Sequence, residues 1–461
     1  MPVMKNKVFS TEERYFGELS IKKGLGDDYM ATHYDPRFRK GSAEAKSYDS
    51  EMMLERSDKL TATSIFLENM DCFEASELFE AKLDGIELSN YDLSDLELNK
   101  VSFRGTNLES TSFFKSSLKK VDFRDVNIYG ADFEKTNLSK ATFKGVKSCN
   151  ISYAGANLKR ANFNKSRFIS SLFHYAKMGK MLARKANFTA SSFAFSDMID
   201  IDFTDSNLTG TFFHVVDARW AVFNNTNLTG AVFLGGWINN ASFYNANLTG
   251  VRFSGIGLCG ANFTGAKFKG VKFDHGSSLV GATAPNSDFT DSMFNDVLMT
   301  GGDFSGANFN GAQLENVYMD QAMLPCASFK KGRLNGIYME DSELCGADFE
   351  EADLGNSIFR KCKALGANLK FAQIYESELR GSNFNDADFE SADLYGTDLT
   401  QASLIGANFR HADLTNTNFT DTDLTGADFT GATLKGAKLT DAILTGAIFD
   451  EGYELTLSKG Q

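Results

Sequence analysis

The strongest constraint on this chain is an apolar residue at every fifth position. From Phe73 to Phe273, 38 of 41 such positions hold Phe, Leu, Ile, Met or Tyr, and from Phe289 to Phe449 the count is 32 of 33. An amphipathic helix has an apolar period near 3.6 and a half-buried strand has a period of 2, so neither fits. A period of five predicts a solenoid whose coil has four short sides of five residues each.

The residues around each apolar centre support this prediction. Two positions before the centre stands a small residue, such as Ala131, which can point inward beside the large one. Two positions after the centre Gly recurs, as in Gly130, where a corner turn favours positive φ. Phe103 and Phe123 lie one coil apart, so we expect two opposite Phe walls with aliphatic walls between them. An interior filled in this way leaves no pocket for a ligand.

Strings such as NLTGAVF, DLTGADF and GGDFSGANF give the repeat A(D/N)LxG, sustained over about four-fifths of the chain. This repeat resembles that of the pentapeptide-repeat family. The resemblance implies an all-β fold, a right-handed quadrilateral β-helix, with about 19 coils in this chain. At a β-sheet spacing of ~4.8 Å between coils, the rod would be roughly 90 Å long.

Five regions are predicted along the chain. Residues 1–72 form a non-repeat, partly helical arm that either caps the first coil or docks to another protein. Two β-helix segments, 73–273 and 289–449, flank a register break or loop at 274–288, and residues 450–461 form a tail or cap. The break is predicted because the apolar positions slip by one residue between Phe273 and Phe289, in a stretch that contains Pro285. Either a bulge or a kink between two rod segments accounts for it.

The net charge of −13 hides a bipolar distribution. Residues 101–200 carry +10 and residues 371–461 carry −10, and twelve Lys or Arg with no Asp or Glu lie between Lys135 and Ser196. On coils of twenty residues the cations form two columns on a predicted basic face: Arg104, Arg124, Lys144 and Arg184 after a centre, and Lys100, Lys120, Lys140, Arg160 and Lys180 at the preceding corner. A predicted acidic face holds Asp353, Asp393 and Asp413.

The basic face is either a solvated surface or a site for an acidic partner. The two columns show no interleaved exposed aromatic residues, which argues against sequence-specific recognition of nucleic acid. We therefore expect a protein partner. One such acidic surface is the C-terminal end of the same chain, so a homo-oligomer formed by basic-to-acidic contact, or through the coil ends, is a further expectation.

Sequence patterns typical of nucleotide-binding, metal-binding or catalytic sites are weak. The GxGxxG match from Gly255 to Gly260 lies inside the repeat and opens no helix. His174 and His214 lie two coils apart, too far to share a metal ion. We expect no catalytic residue, no cofactor and no metal site. No signal peptide and no membrane-spanning segment is predicted, so the protein is expected in the cytoplasm or within a larger particle.

These patterns favour a non-enzymatic rod-like scaffold in a bacterial or bacteriophage assembly. The family resemblance implies one alternative, a DNA mimic that binds DNA gyrase or topoisomerase. A second alternative is an adaptor that acts as a secreted bacterial effector. The sequence leaves these alternatives open.

Overall fold

The structure is a computed structural model that describes residues 80–451. The predicted arm, residues 1–72, and nearly all of the predicted tail lie outside the described residues. Within residues 80–451 there is no helix, and therefore none long and apolar enough to cross a membrane. The chain winds as a β-solenoid in which each residue of a side pairs, in parallel, with the residue 20 positions later.

Each repeat follows one local pattern, which residues 101–105 illustrate. Val101 and Phe103 point inward and are fully buried, whereas Ser102 between them faces outward. The Ser102 N–H donates to the Ala81 carbonyl of the preceding coil at 2.9 Å, and the Phe103 N–H donates to the Asp122 carbonyl of the next coil at 2.9 Å. The corner then closes at Gly105, whose φ is 66°. Five residues thus complete one side and one turn.

The core consists of stacked aromatic and aliphatic side chains. Phe103 and Phe123 stack with ring centroids 5.7 Å apart, and Phe113 and Phe133 on the opposite wall stack at 5.2 Å. The two opposite Phe walls are therefore present as predicted. Full burial of one Phe side chain stabilises the fold by about 1.5–3 kcal/mol, so the apolar period is also the main source of stability.

The four sides of the coil, called faces here, are numbered by their bridged residues. Each corner takes the number of the face that precedes it. The first bridge along the chain joins Lys82 to Ser102 on face 1, Glu87 to Asn107 on face 2, Asp92 to Ser112 on face 3, and Glu97 to Ser117 on face 4. On face 1 the bridges run without interruption from Lys82 to Ile443.

Most sides contribute a single bridged residue, and only eight segments of the described residues are long enough to be strands. These strands lie on eight of the coils, whereas the bridged residues of face 1, one for each coil, number 19 from Lys82 to Ile443. The strands are β1 (Lys147–Cys149), β2 (Arg167–Ile169), β3 (Phe212–Asp217), β4 (Val232–Trp237), β5 (Arg252–Ser254), β6 (Lys272–Asp274), β7 (Met293–Asn295) and β8 (Gln313–Glu315). β1 pairs with β2 in one parallel sheet, and β3 to β8 form a six-stranded parallel sheet on face 3.

The register break is confined to one corner. Ser254 pairs with Asp274 at the usual offset, but Gly257 pairs with Ser278, an offset of 21 residues. The extra residue therefore lies at the corner between β6 and Ser278, where His275 and Gly276 both have positive φ. Leu279 and Ala284 are buried centres of ordinary repeats. The loop predicted over 274–288 is thus a single corner insertion, ten residues before Pro285, and the coil-to-coil pairing continues across it.

Candidate partner-binding surface

The corner column of the predicted basic face lies on corner 4. All five of its residues have left-handed backbone conformations with φ between 59° and 62°, and all are exposed: Lys100, Lys120, Lys140, Arg160 and Lys180. A left-handed conformation costs a residue with a side chain about 1–2 kcal/mol relative to glycine. Five consecutive coils therefore carry a cation where glycine would fit with less strain.

The second column lies on face 1, one position after each centre. Arg104, Lys144 and Arg184 are exposed and Arg124 is half-buried. The two columns flank face 1, because corner 4 precedes this face and the residues that follow its centres begin corner 1. The nine cations therefore surround one face of the rod, and their role in binding a partner stays a prediction.

Several of these cations are bound by carboxylates of the same chain. Arg124 contacts Asp122 at 2.5 Å, and Arg184 contacts Asp202 at 2.5 Å. Burial by itself raises the pKa of Asp122, but hydrogen bonds from the side chain and backbone of Arg124 outweigh burial, so the pKa lies below its usual value. Lys100 contacts Glu80, and Lys180 lies 3.8 Å from Asp200. At these positions the cations also serve the fold.

The other cations of the two columns behave differently. Within residues 80–451, no carboxylate lies within ion-pair distance of Lys120, Lys140, Lys144 or Arg160. Neighbouring cations of a column stand about one coil spacing, ~4.8 Å, apart and repel each other. These four side chains are therefore the ones best placed to bind an acidic group from outside the chain.

The predicted acidic face is a column on face 3, and its carboxylates have a local structural role. The Oδ1 atoms of Asp353, Asp393 and Asp413 each accept a hydrogen bond from the backbone N–H two residues later, at 3.2, 3.0 and 2.9 Å. Such Asx turns stabilise the corner that follows each side. The sequence pattern assigned these positions only to the outer surface and did not predict the turn.

The two histidines lie on face 3, as their spacing of two coils requires. Nε2 of His174 lies 2.8 Å from Oγ of Ser192, and the His214 ring lies 4.8 Å from the Phe195 ring. Burial lowers the pKa of both histidines. Among the described residues, no three His, Cys, Asp or Glu side chains are grouped so that they could hold a metal ion.

The surface also carries exposed aromatic residues, which the five-residue period does not predict. Tyr175 and Phe195 occupy successive coils on corner 3 and stack at 5.0 Å with an interplanar angle of 8°. Both tryptophans of the chain lie on the neighbouring surface: Trp220 on corner 4 and Trp237 on face 4, 49% and 57% exposed. Arranging the aromatic residues that are not centres on the twenty-residue coil would have revealed them.

The comparisons with known proteins agree with this architecture. Models of the family described as pentapeptide repeats match the chain in eight copies, at residues 186–225, 216–255, 241–276, 303–341, 326–360, 342–381, 382–421 and 412–450. A model described as pentapeptide repeat region matches residues 76–152. No curated protein matches the chain significantly.

Similar solved structures include two pentapeptide repeat proteins and one fluoroquinolone resistance protein. HetL, a pentapeptide repeat protein involved in heterocyst differentiation regulation from the cyanobacterium Nostoc sp. strain PCC 7120, is 26% identical; the match covers 47% of this chain and 90% of HetL, with a TM-score of 0.22. QnrB1, a plasmid-mediated fluoroquinolone resistance protein, is 22% identical over 40% of this chain and 88% of that one, with a TM-score of 0.23. A thylakoid-lumen pentapeptide repeat protein from Arabidopsis thaliana is 25% identical over 27% and 70%, with a TM-score of 0.14. On the strength of the family models and the five-residue coil, this chain belongs to the pentapeptide repeat family.

Proposed function

We propose that this chain is a non-enzymatic, rod-shaped scaffold that binds a protein partner with an acidic surface, as a component of a bacterial or bacteriophage assembly. The observation that carries the proposal is the basic section, residues 135–196. It holds twelve Lys or Arg and no Asp or Glu, on coils whose interior is filled by side chains. A filled interior leaves the outer surface as the place for function.

The unpaired cations support binding rather than solvation alone. Lys120, Lys140, Lys144 and Arg160 flank face 1 over three coils, without a carboxylate at ion-pair distance in residues 80–451. Clustering them costs Coulomb repulsion and, at the corners, backbone strain. A carboxylate-rich partner would offset both costs and would also accelerate association at low salt.

The proposal is tested by affinity capture with the intact chain and with a chain that lacks residues 1–72. If the basic section makes the contact, both forms retain the same acidic partner, and high salt releases it. If removing residues 1–72 abolishes capture while the rod stays folded, the contact belongs to the N-terminal arm and the proposal is wrong.

A gyrase assay tests the DNA-mimic alternative. The proposed scaffold has no effect on DNA supercoiling by gyrase at micromolar concentrations. Inhibition of supercoiling, or protection of gyrase from a quinolone, would replace the scaffold proposal with the DNA-mimic function.

A further inference from the structure

Face 4 carries an uncharged apolar strip in the middle of the rod. On the four coils from Trp237 to Gly301, no outward position of face 4 or corner 4 holds Asp, Glu, Lys or Arg. These twelve positions are Trp237, Asn239, Asn240, Gly257, Cys259, Gly260, Ser278, Val280, Gly281, Leu298, Thr300 and Gly301. Leu298 and Val280 are exposed, in addition to the two tryptophans.

Two glycines, Gly236 and Gly257, lie next to Trp237 at positions where a side chain would make a close contact. A side chain on Gly257 would meet Cδ1 of Trp237 at 3.3 Å, so the indole lies over the rung of the next coil. At Gly236, a Cβ atom would approach the Val216 carbonyl oxygen to 2.2 Å. The backbone before Trp237 is thus closely packed, and the Trp237 ring is 57% exposed at the surface. Such rigid Trp side chains are frequent centres of protein interfaces.

Opposite charges flank the strip on the same face. Toward the C-terminus lie Asp320, Glu340 and Asp341, which carry −3. Toward the N-terminus the four coils carry +2, from Lys159, Arg160, Lys177, Lys180 and Arg219 against Asp197, Asp200 and Asp217. The three Asp side chains pair within the chain with Lys159, Lys180 and Arg219. Arg160 and Asp341 occupy the same corner column, both with left-handed backbones, nine coils apart. Neither has an ion-pair partner among residues 80–451.

We infer that face 4 binds a second copy of this chain, antiparallel, about a two-fold axis that crosses the rod between the rungs of Trp237 and Gly257. This axis lies midway between the coils of Arg160 and Asp341. The inference rests on the proposed function, since it identifies one acidic partner of the basic section as another copy of the chain. A two-fold contact is self-complementary, so each charged flank meets the opposite flank of the other copy.

Residues at equal numbers of coils from the axis, on opposite sides of it, face each other in the dimer. An in-plane two-fold axis keeps corner 4 against corner 4, so Arg160 faces Asp341 of the second copy, and Lys159 faces Glu340 of the second copy. The same operation places Trp220 opposite Gly281 and Trp237 opposite Gly257 of the second copy. Trp220 therefore meets a glycine, where a flat surface can accept an indole ring, whereas the two Trp237 rings, each lying over Gly257 of its own copy, meet each other next to the axis.

The size of the surface suits a stable dimer. From Arg160 to Asp341 the strip and its flanks span nine coils, about 43 Å at a spacing of ~4.8 Å. With a side about 15 Å wide, each copy would bury roughly 650 Å², close to the roughly 800 Å² per partner of a standard interface.

Sedimentation velocity of the full-length chain tests the inference. We expect a dimer at micromolar concentration in low salt, weakened about tenfold in dimer affinity by Trp237→Ser. The matched control is Tyr129→Ser, which removes an aromatic side chain of similar exposure, 49%, from face 2 and leaves the dimer unchanged. A monomer in low salt, or equal effects of the two substitutions, would overturn the inference.

A charge-swap experiment tests the register. Arg160→Glu and Asp341→Lys should each weaken the dimer about fivefold or more, whereas the double variant should restore the affinity, because the swapped charges face each other again. Absence of rescue would refute the antiparallel register. A monomeric protein that still captures an acidic partner would overturn the dimer and leave the proposed function standing.

Native Cys259 provides a readout that needs no substitution. It lies on face 4 next to the proposed axis, so a short bis-maleimide should join Cys259 to Cys259 of the second copy. Peptide mapping by mass spectrometry identifies the linked cysteines. A cross-linked dimer joined at other cysteines and lacking this product would contradict the inference.

Discussion

The ring of Tyr153 stacks on Phe133 at 5.2 Å, inside the Phe wall, and its hydroxyl has no hydrogen-bond partner among residues 80–451. Tyr153 is fully buried, and burial raises the pKa of its phenol well above the usual value. A buried polar group without a hydrogen-bond partner lowers the free energy of unfolding. The stacked Phe rings around Tyr153 have no polar group and carry no such cost.

Tyr153→Phe should therefore increase the free energy of unfolding by about 1–2 kcal/mol, because the aromatic stack is kept and an unsatisfied hydroxyl is removed. The measurement is the urea midpoint by circular dichroism. Tyr318→Phe, on the outer surface of face 4, serves as the control and should have almost no effect. A lower midpoint for Tyr153→Phe would show that the hydroxyl is satisfied in solution.

The glycine before Trp237 should tolerate no side chain. Gly236 has φ of 92°, and an added Cβ would meet Val216 backbone atoms at 2.2 and 2.6 Å. We expect Gly236→Ala to lower the free energy of unfolding by more than about 2 kcal/mol. Gly210 has positive φ with open space around it, so Gly210→Ala should cost only the backbone strain, about 1 kcal/mol. Equal costs would mean that the close contact at Gly236 is absent.

The carboxyl of Asp202 should make stability depend on pH. Burial by itself raises its pKa, but hydrogen bonds from Thr204 and Arg184 outweigh burial and leave the pKa below the usual value. The folded protein therefore binds this proton less readily than the unfolded chain. The stabilisation is present above the unfolded pKa of about 3.9 and is lost as the pH falls through the lowered folded pKa.

Between about pH 5 and pH 2, the wild type should lose more free energy of unfolding than Asp202→Asn. Urea unfolding at a series of pH values measures the difference. Asp205→Asn, at the exposed corner of the same coil, should follow the wild type. Parallel curves for the wild type and Asp202→Asn would contradict the assignment.

Two cysteines should differ sharply in reactivity. Burial raises the pKa of the Cys362 thiol to about 12, and its Sγ donates to the Met339 carbonyl at 2.8 Å. Cys326 is exposed at a corner. At pH 8, iodoacetamide should alkylate Cys362 at least about 100-fold more slowly than Cys326, because the thiolate is the reactive form. Mass spectrometry of the native protein, with urea-unfolded protein as the control, measures both rates, and rapid labelling of native Cys362 would contradict its burial.

The sequence was sufficient for the features that follow the twenty-residue coil. The spacing of Phe103 and Phe123 predicts their wall, and the spacing of Lys140 and Arg160 predicts their column, because every coil has the same backbone path. The place of the register break was less certain, since residue counting puts the slip only between Phe273 and Phe289. The pairing between coils and the positive φ values, which the sequence period does not contain, locate it at His275 and Gly276.

Side-chain direction accounts for what the sequence could not predict. The capping of turns by Asp353 and its equivalents depends on a side-chain rotamer, as does the position of Trp237 over Gly257. Neither changes the five-residue period. The partner-binding role of the basic and acidic faces stays a prediction.

The most direct test of the proposed function is quantitative affinity capture with reversed charges. One variant changes Lys120, Lys140, Lys144 and Arg160 to Glu, and a matched control changes Lys267, Lys269, Arg333 and Lys435, which lie outside the two columns of the basic face, to Glu. The proposal predicts that the wild type and the control retain the same acidic partner at low salt, and that the column variant loses it. Undiminished capture by the folded column variant would contradict the central claim.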